Sequence, residues 1–165
     1  MNGGDSSTPA DRGRAELRLE EFLPYRLNVT AALTSQALSR IYATQYGIGI
    51  PEWRVLVTLG QYGTMTGKAI GAHSHMHKTK VSRAVALLER RKLVARRTNR
   101  DDMREALLSL TPTGRAIYND LAPIALEFAG KLLDALDETE RAALDRILDK
   151  LTARAILLSG PTAGR

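Results

Sequence analysis

The chain contains no cysteine. Disulfides, thiolate metal sites and a thiol redox switch are therefore excluded. It has no apolar run of transmembrane length, and residues Met1–Arg14 lack the hydrophobic centre of a secretory signal. The sequence thus predicts no membrane partner and, by default, a cytoplasmic location. No nucleophile elbow, P-loop or dinucleotide fingerprint occurs, and the carboxylates are scattered at ordinary density. Neither catalysis nor a cofactor is expected. No internal repeat is visible at solenoid periods.

What is present is basic charge, unevenly placed. The 165 residues carry a net charge of +6. The segment Met76–Arg104 holds ten Lys and Arg: Lys78, Lys80, Arg83, Arg90, Arg91, Lys92, Arg96, Arg97, Arg100 and Arg104. Only Glu89, Asp101 and Asp102 oppose them, so this stretch is +7 and the remainder is −1. A contiguous basic stripe is the footprint of a phosphate-binding face; a merely solvated surface is the plainer alternative.

The hydrophobic pattern is mostly helical. Residues 1–16 are rich in Gly, Ser and charge and are expected to be a tail. A long helix is expected from about Leu17 to Tyr46, with Pro24 near its start, and Gly47 and Gly49 end it. Pro51 opens a second helix. Two short helices follow. Thr66 is the N-cap of the first, with Met65 and Ile70 at staple positions. His77 occupies the cap of the second, a poor choice beside Ser or Asp. Val81, Ala84, Val85 and Leu88 then form an apolar stripe, and Lys78, Lys80, Ser82 and Arg83 point away from it. Two short helices with a basic outer face describe a helix-turn-helix.

Leu93–Thr98 and Glu105–Leu110 read as strands around a polar tip, hence a β-hairpin wing. Thr111-Pro112 restarts helix toward Leu136, with a bend expected near Pro123. Asp137–Glu140 resembles a capping box. The last helix carries Leu144, Ile147, Leu148, Leu151, Ala155 and Leu158 on one side, more than a thin domain covers from within. The fold class expected is mainly α with a small β-hairpin wing. A winged helix-turn-helix lobe (50–111) is joined to a helical dimerisation region (17–48 and 112–158), with a C-terminal tail at 159–165.

Three stretches together resemble the MarR family of bacterial winged helix-turn-helix regulators: Ile50–Leu56; Lys80–Val85 continuing through Leu88–Val94; and Asp102-Met103-Arg104 followed by Leu110–Gly114. The resemblance covers roughly Leu19 to Leu151. Lys92 stands where the family commonly has Gly, Asn99 where an acidic residue is frequent, and His75 and His77 where small residues are usual.

The resemblance implies a homodimer that places two recognition helices in successive major grooves of an inverted-repeat operator. Thr79, Lys80, Ser82 and Arg83 are the expected groove-facing set. Thr66, His77 and Lys78 are expected near phosphate. In the wing, Arg104 is expected in the minor groove, with Asp102 orienting an arginine and Arg100 adding charge. The resemblance further implies release by a small aromatic or anionic effector, and repression as the default. Tyr42, Tyr46, Trp53 and Arg54 are candidate effector contacts; core packing explains them equally well. Leu23–Leu27 is similar to members that sense aromatic acids or their CoA thioesters. The competing reading is an architectural or nonspecific DNA-binding protein. Metal sensing through His73, His75 and His77 is less favoured, because residues two apart on a helix diverge.

Overall fold

Proline decides where the first helices begin. In the computed structural model, which describes residues 16–99 and 103–160, helix α1 spans Leu23–Tyr46 with Pro24 in its first turn. Extending the helix toward Leu17 would drive the Pro24 ring into the carbonyl of Glu20. The helix is therefore shorter than the periodicity predicts, and Leu17–Phe22 lie outside it. Helix α2 (Ile50–Tyr62) has Pro51 in its first turn, and Glu52 accepts the Gly49 N–H at 2.9 Å.

Strand β1 (Met65–Thr66) leads into α3 (Gly67–Ser74). Then come α4 (Lys78–Arg90), β2 (Val94–Thr98), β3 (Ala106–Leu110), α5 (Pro112–Leu133) and α6 (Glu138–Leu158). The Thr111 hydroxyl caps α5 by accepting the Gly114 N–H at 3.0 Å. Asp137 and Glu140 exchange two capping bonds of 2.8 and 3.0 Å at the start of α6. Helix α5 continues through Pro123 as one helix.

The three strands form one antiparallel sheet ordered β1-β3-β2. Val94 pairs with Leu110 and Thr98 with Ala106, which is the expected wing. The pairing of Met65 with Leu108 is an addition. Two residues are too few to show the alternation by which a strand is read from sequence.

Helix α2 is the hub of the core. Its Val55, Leu56 and Leu59 are fully buried. Around them pack Tyr42, Ile48, Ile70, the α4 stripe Val81, Ala84, Val85 and Leu88, then Leu93, Leu108 and Leu121. Helix α6 buries none of its residues within the chain. Ile147, Leu148, Ile156, Leu157 and Leu158 stand exposed on it, and Leu126 and Leu132 stand exposed on α5.

The turn from α4 into β2 is tightly tied. Lys92 adopts a left-handed backbone, φ 57°. The Thr111 hydroxyl donates to the Lys92 carbonyl at 2.7 Å, and the Thr111 N–H donates to the Leu93 carbonyl at 3.0 Å. A side chain at Gly114 would overlap that same Leu93 carbonyl, so α5 seats against the wing only through glycine. A left-handed lysine costs what a glycine does not. Lys92→Gly is therefore expected to raise unfolding stability by roughly 0.5–1 kcal/mol, read as a higher urea midpoint at unchanged slope.

Candidate nucleic-acid interface

The geometry of the basic unit follows from how its two short helices are capped. The Thr66 hydroxyl accepts the Ala69 N–H at 3.2 Å. Helix α3 ends at His75, whose left-handed backbone (φ 51°) turns the chain, and its N–H closes on the Gly71 carbonyl. Met76 is buried beside that turn, and His77 follows as N-cap of α4. The cap works through the ring: Nδ1 accepts the Thr79 N–H at 3.4 Å.

Burial of Val81, Ala84, Val85 and Leu88 orients everything else on α4. Lys78, Thr79, Lys80, Ser82 and Arg83 are all exposed on its other side. Five polar or cationic side chains thus share the leading face of one helix, whose N-terminal N–H groups add partial positive charge.

The wing stands beside this face. Between α3, α4 and the wing lies a cleft of about 610 Å³. Its floor includes Met76, Val81, Val85 and Leu108, and its rim includes Lys68, Lys78, Arg96 and Arg104. Arg104 is exposed where the hairpin returns toward β3. Arg100 and Asp102, expected at the wing tip, lie outside the described residues.

Arg96 and Arg91, two of the cations in the stripe, hold partners within the chain. Arg96 grips Glu89 in a fork, Nε to Oε1 at 2.8 Å and an Nη to Oε2 at 3.0 Å. That hydrogen bond, with the charge of Glu89, raises the Arg96 pKa above its ordinary value against the opposing effect of burial. Both groups are partly solvated, so the pair adds little stability, about 0–1 kcal/mol. Its effect is geometric: it ties the wing strand β2 to α4. Arg91 donates instead to main-chain carbonyls at the end of α1. Neither partnership was legible in the sequence, because both depend on how distant elements meet.

The histidine run is divided among three tasks. His73 packs its ring against Tyr62 at 4.3 Å between centroids, His75 makes the turn, and His77 caps α4. Among the described residues no group of three His, Asp or Glu is placed to hold a metal ion.

The four effector candidates cluster near the α1–α2 junction. Tyr42 and Trp53 are buried and stacked, centroids 5.1 Å apart and planes within 18°. Burial raises the Tyr42 pKa, opposed by the charge of Arg54. Arg54 itself is exposed. Tyr46 donates its hydroxyl to Asp120 on α5 at 3.1 Å, and burial together with that bond raises its pKa.

A capped helix pair, preceded by β1 and followed by the β2–β3 hairpin that completes one small antiparallel sheet, defines a winged helix-turn-helix protein. Residues 46–105, from the end of α1 through α2, α3, α4 and β2, match the model of the MarR family. A MarR/EmrR family transcriptional regulator from Acinetobacter sp. ADP1 is 26% identical, with a TM-score of 0.78 over 86% of this chain and 99% of that one. A MarR family transcriptional regulator from Silicibacter pomeroyi DSS-3 is 28% identical, with a TM-score of 0.74 over 85% and 99%. BpsR of Bordetella bronchiseptica, whose DNA binding is regulated by 6-hydroxynicotinic acid, shares the fold at 21% identity, with a TM-score of 0.74 over 84% and 98%. No curated relative matches the sequence. The family match thus covers residues 46–105, and the described fold is similar to that of MarR family transcriptional regulators. Among the described residues no helix is long and apolar enough to cross a membrane.

The Glu89–Arg96 fork yields a test. Glu89→Gln removes one negative charge from the basic face and releases a guanidinium toward phosphate. Affinity for random duplex DNA is expected to rise severalfold, with the salt slope steeper by about 0.9. An unchanged slope would mean that Arg96 stays where it is without its partner.

Proposed function

We propose that the protein is a ligand-responsive transcriptional regulator, most simply a repressor, that binds an inverted-repeat operator as a homodimer. The observation that carries this reading is the leading face of α4. It presents Lys78, Thr79, Lys80, Ser82 and Arg83 to solvent while an apolar stripe anchors the opposite side. A helix so divided fits a major groove: Arg83 suits a guanine edge, and Thr79 and Ser82 suit bases or phosphates. Thr66, His77 and Lys78 lie around the two helix N-termini, where anionic oxygens bind well. Arg104 is the wing's contribution to the minor groove, with Arg100 and Asp102, outside the described residues, expected to assist it.

The bare apolar surface of α6 and of the far end of α5 supports pairing with a second copy. Covering it contributes about 25 cal/mol per Å² of apolar area. In this reading residues 17–48 and 112–158 form the dimerisation region and 50–111 the DNA-binding lobe. Two lobes related by a twofold axis read half-sites roughly 34–36 Å apart.

The effector is an aromatic or anionic small molecule, such as an aromatic acid or its CoA thioester. The regulation of BpsR by 6-hydroxynicotinic acid and the grouping of Tyr42, Tyr46, Trp53 and Arg54 near the α1–α2 junction, with Tyr46 bonded to α5, support this. A ligand that prefers a different lobe separation weakens DNA binding by its differential affinity, typically about 1–3 kcal/mol.

Selection from a random DNA library is expected to return an inverted repeat; random DNA bound equally well would leave only a nonspecific binder. On the selected duplex, Arg104→Ala is expected to cost about 1–3 kcal/mol, and Lys78→Ala to reduce the salt slope by about one. Wild-type affinity in Arg104→Ala would remove the wing from the interface. Thermal-shift titration with aromatic acids and acyl-CoA thioesters is expected to show stabilisation by one of them; no shift with any would remove the effector class.

A further inference from the structure

Helix α1 reaches its C-terminus at Tyr46 with no basic residue in its own last turn. Its final carbonyls therefore carry the negative end of the helix dipole without a local cation. The cation comes from another helix. Arg91, the C-cap of α4, donates Nη2 to the Tyr46 carbonyl at 2.5 Å and Nη1 to the Gly47 carbonyl at 3.1 Å. Gly47 is left-handed, φ 59°, and its N–H closes on Ala43 at 2.9 Å. Tyr46 is meanwhile held from α5 through its bond to Asp120. One residue of α1 thus meets both α5 and the trailing end of α4.

This arrangement has a mechanical meaning. The apolar stripe seats α4 on α2 and α3, but apolar contact is non-directional and leaves a helix free to pivot slightly along its seam. A charged planar fork on two carbonyls is directional and strong. It acts at the end of α4 opposite the groove-facing residues, where a small change of angle moves the leading end most.

We propose that Arg91 is a positioning residue that fixes the angle of the recognition helix relative to α1 and α5, and so sets the separation between the two half-sites the dimer accepts. This inference rests on the dimeric regulator reading. It assigns Arg91, one of the ten cations of the basic segment, to spacing selectivity and not to phosphate.

The probe is the inverted-repeat duplex that wild-type protein selects from random DNA, remade with its spacer changed by one and two base pairs. Wild type is expected to lose at least about tenfold in affinity when the spacer changes by two base pairs. Arg91→Ala, and Arg91→Gln as the variant that keeps more of the packing stem, are expected to bind the selected spacing several-fold more weakly. Both should treat all spacings alike to within about threefold. Their salt slope should equal that of wild type, because no phosphate contact is lost. A spacing profile parallel to wild type in either folded variant, or a slope reduced by about one, would overturn the inference while leaving the regulator reading intact. A wild-type protein indifferent to spacing would overturn both.

Discussion

Burial of one narrow apolar stripe on α4 is the constraint from which the candidate interface follows. Val81, Ala84, Val85 and Leu88 are held against α2, which is itself the best-buried element of the chain. Because a helix has a fixed 3.6-residue turn, fixing those four side chains also fixes the direction of Lys78, Thr79, Lys80, Ser82 and Arg83. Their display to solvent follows from that burial, while the angle at which α4 stands is the part left to Arg91 in the proposed reading. The caps at Thr66 and His77, the turn at His75 and the short sheet all serve to deliver α4 to that seat.

Much of this was legible in the residues. Thr66, Thr111 and Asp137 are strong caps, and each begins a helix where its side chain can accept a main-chain N–H. The α4 stripe and the wing strands followed from periodicity. Other features resisted reading for definable reasons. Apolar residues continue upstream of Pro24, so the pattern overran a boundary that proline sterics impose. Strand β1 is two residues long and is created by its partner, not by its own preference.

The site was readable to the extent that it is local. The outward residues of α4 fall within a few turns of one helix, so spacing alone grouped them. Arg91 and Arg96 did not yield to that treatment. Both sit in the basic segment and counted as part of its charge, yet one joins Glu89 and the other joins carbonyls 44 and 45 residues away. Tyr42 and Trp53 show the converse difficulty. Stacking and burial suit a core as well as a ligand wall, and composition does not separate the two uses.

The pairing of Met65 and Thr66 with Leu108 and Leu107 makes the wing something other than a free flap. Through β3 it is hydrogen-bonded to the residue that caps α3, while Arg96 clasps it to α4 from the opposite edge. Bending at the hairpin base would strain both attachments at once. The wing and α4 therefore travel as a single rigid jaw; under the proposed reading, a duplex whose groove widths do not match it must itself deform.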